Sequence, residues 1–124
     1  MNLRKKLEGI SYALAGLFVA WREEFNFKFE VSFALAALLL GWYLGLSQSE
    51  FVIVIFMIGF VLAAEAFNTA LEELCDKFEP TPDVHIKKIK DLAAAAVLIS
   101  STTALIVGLI IYTPYILALL QWNS

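Results

Sequence analysis

At 124 residues the chain has the length of one domain, but it is 60% hydrophobic and only 17% charged, with a mean hydropathy of +0.77. A small soluble domain has too much surface to hide that much apolar mass, so a soluble globular domain and a disordered chain are both excluded. A net charge of −3 excludes a uniformly basic surface for nucleic acid, and the lone Cys75 and His85 exclude a disulfide framework and a Cys- or His-rich metal centre. The remaining class is an integral, all-α membrane protein, read as a single domain over residues 1–124.

The first element is a helix over about residues 2–24. Leu3, Leu7, Ile10, Leu14, Leu17 and Phe18 recur at helical spacing behind a basic start, Arg4-Lys5-Lys6. That pattern predicts an amphipathic helix lying on the membrane surface. Trp21-Arg22-Glu23-Glu24 interrupts the apolar run, which argues against a cleavable signal peptide. A first transmembrane helix follows at about 28–47, with Phe25, Phe27 and Phe29 marking its approach through the interface. Gly41-Trp42-Tyr43-Leu44-Gly45 within it is a small-xxx-small pattern suited to close helix packing.

A second transmembrane helix is expected at about 50–75. Its uncharged part, 51–64, is too short to span unless the helix continues through Glu65 and Asn68. The third, about 90–120, is long and uncharged from Leu92, and Pro114 is expected to kink or end it. All nine Lys and Arg residues precede the first span or lie between the second and third. The positive-inside rule therefore puts the N-terminus and the Lys77–Lys90 loop in the cytoplasm, with Trp42, Tyr43, Phe51, Tyr112 and Tyr115 as the aromatic belt of the far side. Three helices bury limited area, which points to an oligomer.

Chemistry is expected where charge breaks the hydrophobic pattern. Glu65, Asn68, Glu72 and Asp76 fall at offsets of zero, three, seven and eleven, one face of a helix. Glu65 lies just inside the apolar span, where an ionisable group is costly and ordinarily has a function or a partner. The bland alternative is a carboxylate paired with a lysine for assembly. Glu23-Glu24, with Glu30 beyond, and Lys87-Lys88-Ile89-Lys90-Asp91 form two further cytoplasmic clusters; the lysines serve either as phosphate neutralisers or simply as topology signals. Cys75 and His85 are given no role. None of the six glycines belongs to a phosphate-cradling loop, so a bound nucleotide would need carboxylate-held Mg²⁺ and lysines.

Glu65-x-x-Asn68-x-Ala70-x-Glu72-x-x-x-Asp76, then Lys90-Asp91-x-x-Ala94-x-Ala96-Val97-Leu98, resembles the signature of the bacterial integral-membrane diacylglycerol kinase and undecaprenol kinase family. The resemblance extends back to Tyr12-x-x-x-Gly16-Leu17-x-x-Ala20-Trp21-x-x-Glu24 and so covers nearly the whole chain. It implies a homotrimer in the bacterial cytoplasmic (inner) membrane, each subunit with a surface helix and three transmembrane helices. It implies transfer of the γ-phosphoryl group of MgATP to a membrane lipid alcohol, with Mg²⁺ as cofactor and ATP as co-substrate. Carried over by motif, Glu65 matches the general base, and Glu24 and Glu72 the metal-binding carboxylates. Tyr12, Asn68, Asp76, Lys90 and Asp91 match the nucleotide-binding residues. Two departures stand out: Lys5 occupies a position where some members have arginine, and Thr81-Pro82-Asp83-Val84-His85 replaces a Glu-Tyr-His segment. Glu24-Phe25-Asn26-Phe27 is similar to the undecaprenol kinase branch and Glu30 to the diacylglycerol kinase branch; undecaprenol is slightly favoured. The competing class is a non-enzymatic membrane subunit or an ion-coupled transporter using Glu65, against which stand the three-helix size, the lack of an inverted repeat and the acidic face running out into the cytoplasm.

Overall fold

The computed structural model describes residues 2–122, without the side chain of Trp122. Its described residues form four helices: α1 (Leu3–Glu23), α2 (Phe25–Leu44), α3 (Gln48–Phe78) and α4 (Val84–Trp122). Three of them, α2, α3 and α4, are long and apolar enough to cross a membrane. At 1.5 Å per residue, the 20 residues of α2 measure about 30 Å, one bilayer core. The 31 residues of α3 measure about 46 Å, longer than that core by about three turns. Glu65, 17 residues after Gln48, lies about 26 Å along α3, within one core thickness of its first residue.

Local chemistry fixes the helix ends. Asn2 caps α1 by accepting from the Lys5 N–H. Only Glu24 separates α1 from α2; its backbone is extended, and its carboxylate makes no capping bond. Gly45 ends α2 in the left-handed conformation, φ 79°, which a side chain would resist. Ser47 and Glu50 form a reciprocal capping box at the start of α3. Asp83 accepts from the N–H groups of His85 and Ile86, so the departure from Glu-Tyr-His in this loop supplies the cap of α4.

The helices differ in how they pack. The most extensive contact is between α3 and α4; α2 lies against both, and α1 touches α2. Leu46, Val54 and Ile111 form the buried cluster, joined by Phe51, Ile58 and Tyr112. This core sits at the α2–α3 turn, away from Glu65. The Tyr112 hydroxyl donates to the Ala37 carbonyl at 2.6 Å, and the Tyr115 hydroxyl donates to Glu50, tying α4 to both neighbours. Gly41 is where this end closes: a Cβ there would lie 3.0 Å from the Tyr112 hydroxyl and 3.1 Å from Leu46.

Two expectations change. Gly41 and Gly45 do different things within the chain: Gly41 gives close approach, whereas Gly45 makes the turn and has open space around it. Of the two outcomes expected at Pro114, a kink or an end, the end does not occur, because α4 continues through it to Trp122. The proline leaves one carbonyl of the preceding turn without its helical partner, and the remaining ladder carries the helix on.

Candidate active site

The polar residues of α3 form a stripe continuous with the buried apolar one. Val54 and Glu65 are both buried, and Asn68 and Glu72 are half-buried below them. Glu65 is only 8% exposed, a carboxyl held by the packing of α3 against its neighbours rather than by solvent. Asn68 Nδ2 donates to Glu72 Oε1 at 3.3 Å, while Asn68 Oδ1 is buried without a hydrogen-bond partner. That orphaned acceptor sits between the two acids, in a place suited to a donor from a bound molecule.

Glu24 closes the stripe from the α1–α2 junction. Its carboxyl lies above the usual carboxylate range, first because burial disfavours the charged form, then because the charges of Glu72 and Glu65 repel it. The junction thus brings a third acid into the field of the α3 pair. Glu30, six residues beyond Glu24 along α2, comes within hydrogen-bonding reach of Glu65. In sequence Glu30 is an outlying member of the Glu23-Glu24 cluster and a point of resemblance to the diacylglycerol kinase branch; it meets Glu65 only once α2 packs on α3.

The cationic side is split. Lys90 pairs with Asp76, joining α4 to the end of α3. Asp91 instead pairs with Lys87 on its own helix, 2.5 Å away and exposed. Adjacent residues on a helix point about 100° apart, so Lys90 and Asp91 cannot both face α3. Tyr12 is 75% exposed on α1. Among the described residues, no group of three or more His, Cys, Asp or Glu forms a ready-made metal cage. Mg²⁺ does not require one: it keeps several waters and takes one or two carboxylates plus phosphate oxygens. Glu24 and Glu72, mutually repelling acids at the mouth of the site, fit that demand.

Residues 11–112 match the family described as prokaryotic diacylglycerol kinase. The chain belongs to that family. It is also 32% identical over 113 residues to the undecaprenol kinase of Bacillus subtilis (strain 168), covering 91% of this chain and 92% of that protein. The chain is therefore a lipid kinase and a multi-pass membrane protein, and ATP is the phosphate donor that this family implies. The competing class, a non-enzymatic subunit or an ion-coupled transporter, gives way to an enzyme.

Proposed function

We propose that this lipid kinase transfers the γ-phosphoryl group of MgATP to a membrane lipid alcohol, with undecaprenol preferred to diacylglycerol. The observation that carries the reading is the descent of Glu65, Asn68 and Glu72 along one face of α3, from the apolar span to its projecting end. A lipid alcohol keeps its tail in the bilayer and its hydroxyl near the interface, the depth of Glu65. The preference for undecaprenol rests on the relative named for that activity and on the Glu24-Phe25-Asn26-Phe27 segment.

Glu65 is the general base. It accepts the proton of the lipid hydroxyl as that oxygen bonds to the γ-phosphorus and the bond to the bridging oxygen of ADP breaks. Glu24 and Glu72 hold the Mg²⁺ of MgATP, which when bound neutralises charge on the phosphates. Asn68 and Asp76 orient the nucleotide, and Lys90 exchanges Asp76 for phosphate oxygens as charge develops. Tyr12 and Asp91 complete the nucleotide contacts from the exposed rim. The nucleotide arrives from the cytoplasm, where the basic residues lie, and the lipid from the membrane. In this reading α1 rests on the cytoplasmic surface of the inner membrane, the N-terminus is cytoplasmic, residues 1–124 act as one domain, and three copies assemble.

Purified protein in bilayers of defined composition tests the reading. Labelled phosphate from ATP should appear on undecaprenol faster than on diacylglycerol. Transfer to diacylglycerol alone would reverse the substrate assignment.

A further inference from the structure

The apolar cavity bounded by α2, α3 and α4, about 500 Å³, is walled by Phe33, Ala37, Leu40, Val54 and Ile58, with Glu30 as its acidic wall residue. The Oε2 atom of Glu30 is buried and has no hydrogen-bond partner among the described residues. Across the helix interface its carboxyl reaches Glu65, itself almost fully buried. Lys90 and Lys87 on α4 are engaged elsewhere, with Asp76 and Asp91, and no ion pair joins Lys28, two residues before Glu30 on α2, to Glu30 among the described residues. Two carboxyl groups within hydrogen-bonding reach across an apolar helix interface are stabilised by sharing a proton rather than by carrying two charges. An ionised Glu30 would also leave an anionic oxygen facing hydrocarbon.

We propose that Glu30 is a positioning residue for phosphoryl transfer: as a neutral acid it donates a hydrogen bond to the Glu65 carboxylate and holds that carboxylate toward the lipid hydroxyl. The inference rests on Glu65 being the base. Glu30 keeps its own proton throughout; the lipid proton goes to the oxygen of Glu65 that Glu30 does not occupy. Glu65 thereby gains one fixed orientation and one free lone pair, beside Glu30, whose side chain walls a cavity suited to a hydrocarbon chain.

Because Glu30 acts as a donor and not as a charge, an amide should replace it. Glu30→Gln keeps a donor at the same length, and Glu30→Leu removes it while filling the apolar space. Expected for Glu30→Gln is a kcat within about threefold of wild type. Expected for Glu30→Leu is a kcat lowered about tenfold or more, with KM for MgATP, oligomer size and thermal stability unchanged. Wild-type kcat in Glu30→Leu overturns the proposal, as does a loss of activity that follows loss of assembly. A folded Glu30→Gln protein as slow as Glu30→Leu also overturns it, since that would require a charge. Glu65→Gln, assayed alongside, separates the two readings. Normal turnover in Glu65→Gln removes the base assignment itself, whereas an inactive Glu65→Gln beside a fully active Glu30→Leu removes only the role of Glu30.

Discussion

Glu24 and Glu72 carry the metal side of the account, and their mutual field gives it a pH signature. The Glu24 carboxyl is raised above the usual value of 4.5 by burial and by the charges of Glu72 and Glu65. Mg²⁺ binds the ionised form, so protons compete. Apparent Mg²⁺ affinity should fall with falling pH while an ordinary exposed carboxylate is still ionised. Glu24→Gln should raise the Mg²⁺ requirement and abolish that acid limb. Glu72→Gln should raise the requirement and move the limb to lower pH, because one of the charges lifting Glu24 is gone. Mg²⁺ titrations of lipid phosphorylation across pH measure this, and an unchanged Mg²⁺ dependence in either variant removes that residue as a ligand. Much of this site was legible as spacing: Glu65, Asn68, Glu72 and Asp76 share a face because a helix has a fixed period. Glu30 was not, because its meeting with Glu65 depends on how α2 crosses α3, which no local pattern encodes. Nor does adjacency reveal that Lys90 faces Asp76 while Asp91 faces Lys87; that follows from which side of α4 meets α3.

Helix ends repeat the lesson one level up. The sequence pattern announced three long apolar helices, and the structure has them, but what bounds each one is chemistry at single positions. Glycines 41 and 45 look equivalent as a spacing motif, yet one sits under the Tyr112 hydroxyl and the other turns the chain. Gly45→Ala should cost about 1 kcal/mol from the left-handed backbone alone, with no change in packing. Gly41→Leu should cost more, because Tyr112 is pinned to the Ala37 carbonyl and neither Leu46 nor Phe51 leaves room for a branched side chain. Thermal unfolding in detergent checks the order, and equal losses would show that both glycines serve the turn. Both changes lie at the end of the bundle remote from Glu65, so the surviving folded protein should phosphorylate lipid normally. Pro114 was harder to judge from sequence, since a long helix packed along α3 can absorb one missing hydrogen bond that an isolated helix would not.

On the scale of the molecule, a structural end is separate from a chemical end. The buried cluster of Leu46, Val54 and Ile111 closes the α2–α3 turn, and the acids Glu24, Glu72 and Asp76 and the partner lysine Lys90 gather at the opposite end. If the chemical end is cytoplasmic, cysteines introduced at Gln48 and Asp83 of a Cys75→Ala protein should be labelled from opposite sides of a sealed membrane, Gln48 from outside. Labelling of both from one side would contradict the three-span topology. The central claim is that proton removal by Glu65 drives phosphoryl transfer to a lipid hydroxyl, and one comparison tests it most directly: the turnover of lipid phosphorylation by wild type and by Glu65→Gln, with nucleotide affinity and oligomer size measured on the same preparations. The account predicts a loss of about 10²- to 10⁴-fold in turnover with MgATP binding and assembly intact. Near-normal turnover, or a loss that follows dispersal of the oligomer, would contradict it.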